Sequence, residues 1–304
     1  MRAAAFVTSM LALGLAISSA HADKILELPQ IRSKAVVVID ADTGAEIFAK
    51  DADSVRAIAS TTKIFVAMAV RKHQIALDGW TEINRDDARA AKGGSRTRLD
   101  VGQQFKNIDL LRAMLISSDN RAPTALGRAA GLTRDQLIAA MNKLAKDLGL
   151  KKTRFTDSSG LRGNVSTARE MALALRAAQR DPVLAEIMGT TYYVVQSRSG
   201  ANKIAYGSTN QPMVAGTYKV TGGKTGFTQA AGYCYITGAE IDGHTYLLAF
   251  FGAADKSTRF SDFGRVAAWL DAGAPGATVK PATPVKARAK ATGARRRVSG
   301  SAKR

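Results

Sequence analysis

The chain has 304 residues, 46% of them hydrophobic, so it is too apolar to be disordered throughout and long enough to bury a core as one large domain or two small ones. With 44 Lys+Arg against 25 Asp+Glu it carries a formal charge of +19, which points to an anionic partner such as nucleic acid, a membrane surface or a polyanionic wall. The single cysteine, Cys234, excludes an intramolecular disulfide and a multi-cysteine metal site, and three histidines (His21, His73, His244) supply a protein-only zinc site poorly, so neither metal nor cofactor is expected.

Residues 1–22 read as a secretory signal peptide: Arg2, an uncharged stretch from Ala3 to Ile17, and an Ala20-His21-Ala22 end for cleavage. Export with one cysteine suits a bacterial periplasm or cell surface. Residues 23–271 form one folded segment without repeats. Lys34–Asp40 and Ala45–Ala49, joined through Asp42-Thr-Gly44, predict a β-hairpin. Ile64–Val70 is apolar on all sides and predicts a buried helix. Helices are expected over Asp109–Ile116, Arg121–Ala130, Thr167–Ala178 and Pro182–Met188. Another follows the capping box Thr133-Arg-Asp-Gln136 and stops at Gly149. Three strands follow, at Thr217–Thr221, Gly232–Glu240 and Thr245–Gly252, then a closing helix at Arg259–Leu270. This order predicts an α+β fold: an antiparallel sheet built from both ends of the segment, with a helical region inserted between. Residues 272–304 hold nine Lys/Arg, nine Ala, three Pro, no acid and no aromatic, and are expected to be a disordered basic tail. Removing those nine charges and Arg2 from +19 leaves +9 for residues 23–271. Export argues against nucleic acid as the tail's partner.

Ser60 and Lys63 stand three residues apart at a helix start and share one face. Free N–H groups at that end favour an oxyanion. Burial and the helix dipole both lower the lysine pKa, giving a general base beside a nucleophile. Ser118-Asp119-Asn120 lies at a junction between two expected helices. Lys224-Thr225-Gly226 follows Gly222-Gly223 at a strand end. His73, which ends the buried helix, and His244, in a turn, are read as surface residues, and Cys234 as core.

The trio S-x-x-K, S-D-N and K-T-G resembles the signature of penicillin-binding proteins and class A β-lactamases. Around it, Arg56-Ala-Ile-Ala-Ser-Thr-Thr-Lys63, Phe155-Thr-Asp-Ser-Ser-Gly-Leu161, Asn164-Val-Ser-Thr-Ala-Arg169 and Gly223-Lys-Thr-Gly-Phe-Thr228 are similar to low-molecular-weight D-alanyl-D-alanine peptidases of family S11. Ala230-Ala-Gly-Tyr-Cys234, Ser257-Thr-Arg-Phe-Ser-Asp262 and the direct run from Trp269 into the tail resemble the endopeptidase branch, the penicillin-binding protein 7 type. The carboxypeptidase branch continues with a β-rich domain and an amphipathic helix.

The resemblance implies a β-lactamase/transpeptidase-like fold with an all-helical subregion. It makes Ser60 the nucleophile, Lys63 its base, Ser118 a proton relay and Asn120 a holder of Lys63 and of a substrate amide. Lys224 would keep Lys63 neutral and attract an anionic substrate. Gly226 would let the strand edge approach the substrate. The N–H groups of Ser60 and Phe227 would bind the oxyanion, each worth about 3 kcal/mol of barrier. Arg259, with Thr225 and Thr228, would hold a substrate carboxylate. The substrate would be peptidoglycan stem peptides and their cross-links, and β-lactams would be covalent inhibitors. Four readings stay open: endopeptidase, carboxypeptidase, β-lactamase, or an inert cationic wall-binding module. Glu170 and Glu186 both lack the E-x-x-L-N context of a deacylating base, which disfavours the third. The tail is expected to hold the enzyme near anionic envelope surfaces.

Overall fold

A computed structural model describes residues 28–281. The signal peptide expected at residues 1–22 and the rest of the expected tail beyond residue 281 lie outside them. The chain begins with β1 (Ala35–Asp40) and β2 (Glu46–Lys50), then the two-residue β3 (Arg56–Ala57). A 3₁₀ turn, Ala59–Thr62, leads into α1 (Lys63–Lys72). Next come β4 (Trp80–Glu82), α2 (Arg85–Ala90), β5 (Gln104–Lys106), α3 (Asn107–Ile116), α4 (Ala122–Ala129) and α5 (Arg134–Asp147). β6 (Val165–Ser166), α6 (Ala168–Ala178), α7 (Pro182–Met188), β7 (Tyr192–Gln196), β8 (Lys203–Gly207) and α8 (Gln211–Ala215) follow. β9 (Lys219–Thr228), β10 (Gly232–Ile241), β11 (His244–Ala253) and α9 (Thr258–Asp271) close the fold.

The sheet runs β2-β1-β11-β10-β9, antiparallel throughout, so the two ends of the chain meet where Val37 pairs with Ala249. Both faces are covered, which explains why β1 is continuously apolar rather than alternating. Val36, Val38, Tyr235 and Phe250 pack under α9 with Phe263 and Leu270. Val37, Ile39, Ile236 and Phe251 face a core shared with α1, α3, α4 and α6. That core takes α1 whole: Ile64–Ala67, Ala69 and Val70 are buried. Among the described residues no helix is long and apolar enough to cross a membrane.

Two expectations need correcting. Gly222-Gly223 reads as a strand end, yet β9 continues to Thr228, pairing Gly222 with Gly238 and absorbing the irregularity as a register shift in β10. The chain also stays with the fold beyond Asp271. Trp269 Nε1 donates to Pro275 O at 3.0 Å, Ala274 and Ala277 pack on the α9 core, and Lys280 exchanges backbone hydrogen bonds with Glu46, both 2.9 Å. The physical reason is the open edge of β2, whose unpaired backbone groups accept another extended segment.

Candidate active site

Ser60 lies in the 3₁₀ turn and Lys63 is the first residue of α1, one turn away. The turn is pressed against β9. A Cβ on Gly226 would stand 2.8 Å from Ser60 N and 3.2 Å from Ile58 O, so only glycine permits that approach. The missing side chain thus serves the packing of the nucleophile's own segment. Opposite, Gly160 (φ 83°) would put a Cβ 1.9 Å from Ala59 O. The loop carrying Gly160 places Ser159 O 3.4 Å from Ser60 Oγ. Asn164 folds that loop: its Oδ1 accepts from Thr156 N and Asp157 N, and its Nδ2 donates to Thr62 Oγ1 and Asp157 O.

Ser118 and Asn120 occupy the α3–α4 junction, as expected. Ser118 has φ 65°, a strained value for a non-glycine residue. Asp119 between them is buried and fixes the junction, accepting from Arg121 N at 2.8 Å and from Tyr206 Oη at 3.4 Å. Lys63 is fully buried, with Nζ 2.6 Å from Asn120 Oδ1, 2.9 Å from Ser118 O, 3.0 Å from Ser60 Oγ and 3.1 Å from Ser118 Oγ. Burial pulls its pKa down to about 7, against the opposing pull of Asp119 and Asp157. Lys224, also buried, donates to Thr225 O at 2.8 Å, and its pKa lies well below the ordinary lysine value through burial, Lys63 and Arg259. Burial is the largest cause at both lysines, and the repulsion between them is reciprocal, so it opposes charging both at once.

Ser60, Ser118 and Asn120 line an open cleft of about 930 Å³ between β9 and the helical region, while Lys63 and Lys224 are buried. Thr225, Gly226, Phe227 and Thr228 form one wall. Thr225 Oγ1 is 2.7 Å from Thr209 Oγ1, and Thr228 Oγ1 accepts from Ala231 N at 3.1 Å. Phe227 is half exposed and stacks on Tyr233 at 4.2 Å. Arg259 is buried rather than on the surface. Its Nη1 donates to Gly226 O and Cys234 O at 2.8 and 2.9 Å, and burial lowers its pKa to about 10, so it remains charged at neutral pH. His73 and His244 are exposed and Cys234 is buried, its thiol pushed up to about 11 by burial.

Sequence reasoning missed the rest of the lining. Gly93, Gly94 and Ser95 border the cleft, and Asn120 Nδ2 donates to Ser95 O at 3.4 Å. Ser208 and Thr209, after the unforeseen hairpin β7–β8, border it too. Tyr192–Gln196 carries a β-branched and aromatic run that signals a strand.

The chain belongs to peptidase family S11: the family model, described as D-alanyl-D-alanine carboxypeptidase, matches residues 21–255. It is 30% identical to a D-alanyl-D-alanine endopeptidase of Escherichia coli over 260 residues, 85% of this chain and 83% of that one. It is 32% identical to a D-alanyl-D-alanine endopeptidase of Pseudomonas aeruginosa, covering 80% and 79%. A D-alanyl-D-alanine carboxypeptidase of Bacillus subtilis is 28% identical, covering 75% of this chain and 59% of its own. The fold superposes on the Streptomyces K15 DD-transpeptidase with a TM-score of 0.75 at 25% identity, over 81% and 99% of the two chains. This is a serine hydrolase of the D-alanyl-D-alanine peptidase, penicillin-binding class.

Proposed function

We propose that the protein is an exported endopeptidase that hydrolyses peptidoglycan cross-links through a Ser60 acyl-enzyme. The observation that carries the mechanism is the set of partners around Lys63. A neutral amine has two N–H donors and one lone pair. Ser118 O and Asn120 Oδ1 accept only, and they take the two donors at 2.9 and 2.6 Å. The lone pair is left for the Ser60 hydroxyl at 3.0 Å. Ser60 Oγ attacks the D-alanyl carbonyl carbon as its proton passes to Lys63 Nζ. The N–H groups of Ser60 and Phe227 receive the oxyanion. When the C–N bond breaks, the proton on Lys63 reaches the leaving amine through Ser118 Oγ, 3.1 Å from Nζ. Water then releases the acyl group by the reverse proton path.

Arg259, Thr225 and Thr228 hold the carboxylate next to the leaving amine, and Asn120 Nδ2 a substrate amide. Burial beside Lys63 and Arg259 disfavours the ammonium form of Lys224; an incoming carboxylate favours that form and so tightens binding. β-Lactams would acylate the same serine. Export through residues 1–22 to the periplasm, and loose envelope attachment through the basic residues at the C-terminal end, belong to this reading.

The endopeptidase preference is supported by relatives so named that match over 83% and 79% of their length, against 59% for the carboxypeptidase. The test is digestion of purified peptidoglycan. Conversion of cross-linked dimers to monomers is the expected result. Loss of terminal D-alanine from pentapeptides with dimers untouched would make it a carboxypeptidase.

A further inference from the structure

Nine large hydrophobic side chains are exposed among the described residues, and two of them, Trp80 (38%) and Val194 (44%), line one groove together with the half-buried Tyr193. Alternation along β7 turns Tyr192 and Val194 outward with Gln196, while Val195 is buried. The groove has a volume of about 600 Å³ and lies away from the catalytic cleft, between the β4–β5 ribbon, the flank of α3 and the tip of the β7–β8 hairpin. Apolar side chains gathered in one groove mark a binding surface rather than scattered surface residues.

Its polar groups are held in place. Trp80 pairs across the ribbon with Lys106, whose Nζ lies 5.7 Å from the indole. Arg198 places its guanidinium 5.6 Å from the same ring, and is anchored to Gln104 through its own backbone N–H (2.8 Å) and Nη1 (3.1 Å). Arg112 donates to Tyr193 Oη at 2.7 Å and stacks over that ring at 4.0 Å. An exposed indole is a platform for the apolar face of a sugar ring. Lys106 and Arg198 at its rim suit acetamido carbonyls and a nearby carboxylate, whereas Arg112 is already paired with Asp109 at 3.0 Å.

The β7–β8 hairpin joins the groove to the catalytic cleft. β8 runs from the hairpin tip, where Ser197 N bonds Asn202 O, to Gly207, whose carbonyl accepts from Ser117 Oγ beside the catalytic Ser118. Its five residues span roughly 14 Å. An extended peptide of about four residues also spans roughly 14 Å. That is the reach from a cross-link to the sugar bearing its stem. A polyanion would use the cations but has no need of the indole, and this favours an amino-sugar chain.

We infer that the Trp80 groove binds the amino-sugar strand of the peptidoglycan whose stem peptide occupies the catalytic cleft. This rests on the cross-link reading above and adds a second contact to it. The substrate is gripped at both ends of one stem, which raises its effective concentration at Ser60.

The test uses the full chain and two exposed-site variants, Trp80→Ala and Arg198→Ala. Rates are measured on cross-linked dimers still attached to glycan and on glycan-free cross-linked dimers. The ratio of the two rates is expected to fall at least five-fold in each variant. In parallel, a neutral hexamer of β-1,4-linked N-acetylglucosamine should quench wild-type tryptophan fluorescence and leave Trp80→Ala unchanged. An unaltered rate ratio in both variants would overturn the inference. So would variants that lose heparin binding while the neutral hexamer never binds wild type. Penicillin labelling separates the two failures: its absence in wild type sinks the catalytic reading, whereas labelling with an unaltered ratio sinks the groove alone.

Discussion

Lys63 Nζ sits 2.6 Å from Asn120 Oδ1, the shortest of its four contacts, and this pairing fixes which way the lysine lone pair points. Asn120 Nδ2 faces Ser95 O, so the amide orientation is set by its surroundings. Replacing the neutral oxygen by a charged one reverses the logic. Asn120→Asp puts a carboxylate against the amine and favours its ammonium form. Acylation by a chromogenic β-lactam at neutral pH should fall by about two orders of magnitude, on the scale of losing a general base. Much of the rate should return at higher pH. A variant as fast as wild type at neutral pH would remove Lys63 as the base.

The wild-type pH profile follows from the same group. With the Lys63 pKa lowered to about 7, the active, neutral amine is lost as pH falls through that value. The second-order acylation rate should therefore rise from pH 5 to 8 with an apparent pKa near 7. Because Lys63 and Lys224 interact, this midpoint belongs to the pair. A profile flat across that window would contradict a lysine base.

The sequence showed the chemistry more clearly than the walls that frame it. The motifs holding Ser60, Lys63, Ser118, Asn120 and Lys224 were legible through a family resemblance; the first four residues lie at element boundaries and Lys224 inside β9. The antiparallel sheet was legible from the apolar runs of β1, β10 and β11. Gly93–Ser95 and Ser208–Thr209 were not, because small polar loop residues carry no periodicity, and their place in the cleft depends on long-range packing. The approach of Gly226 to Ser60 N was not legible either, since only the fold brings its bare face there. The strap of Ala272–Pro281 was missed for a similar reason: composition cannot show that β2 has a free edge.

Gly160 offers a stability test. Its positive φ and its 1.9 Å clearance to Ala59 O both forbid a side chain. Gly160→Ala should cost about 2–4 kcal/mol in denaturant unfolding. The Ser60 turn should shift with it, slowing acylation. A loss below about 0.5 kcal/mol would show that the loop yields freely.

Slow deacylation is expected after β-lactam attack. Glu170 is tied to Lys152 N and Thr153 Oγ1, and Asp157 to Gly160 N and Leu161 N. Neither carboxylate is free to activate water at Ser60. Nitrocefin should give a single stoichiometric burst followed by very slow turnover; rapid multiple turnover would make the protein a β-lactamase.

The central claim is a covalent intermediate on Ser60, and intact-mass measurement after incubation with benzylpenicillin tests it most directly. The account expects one adduct per chain, mapped to the peptide containing Ser60 and absent from Ser60→Ala. An unmodified wild-type chain, or an equal adduct in Ser60→Ala, would contradict it.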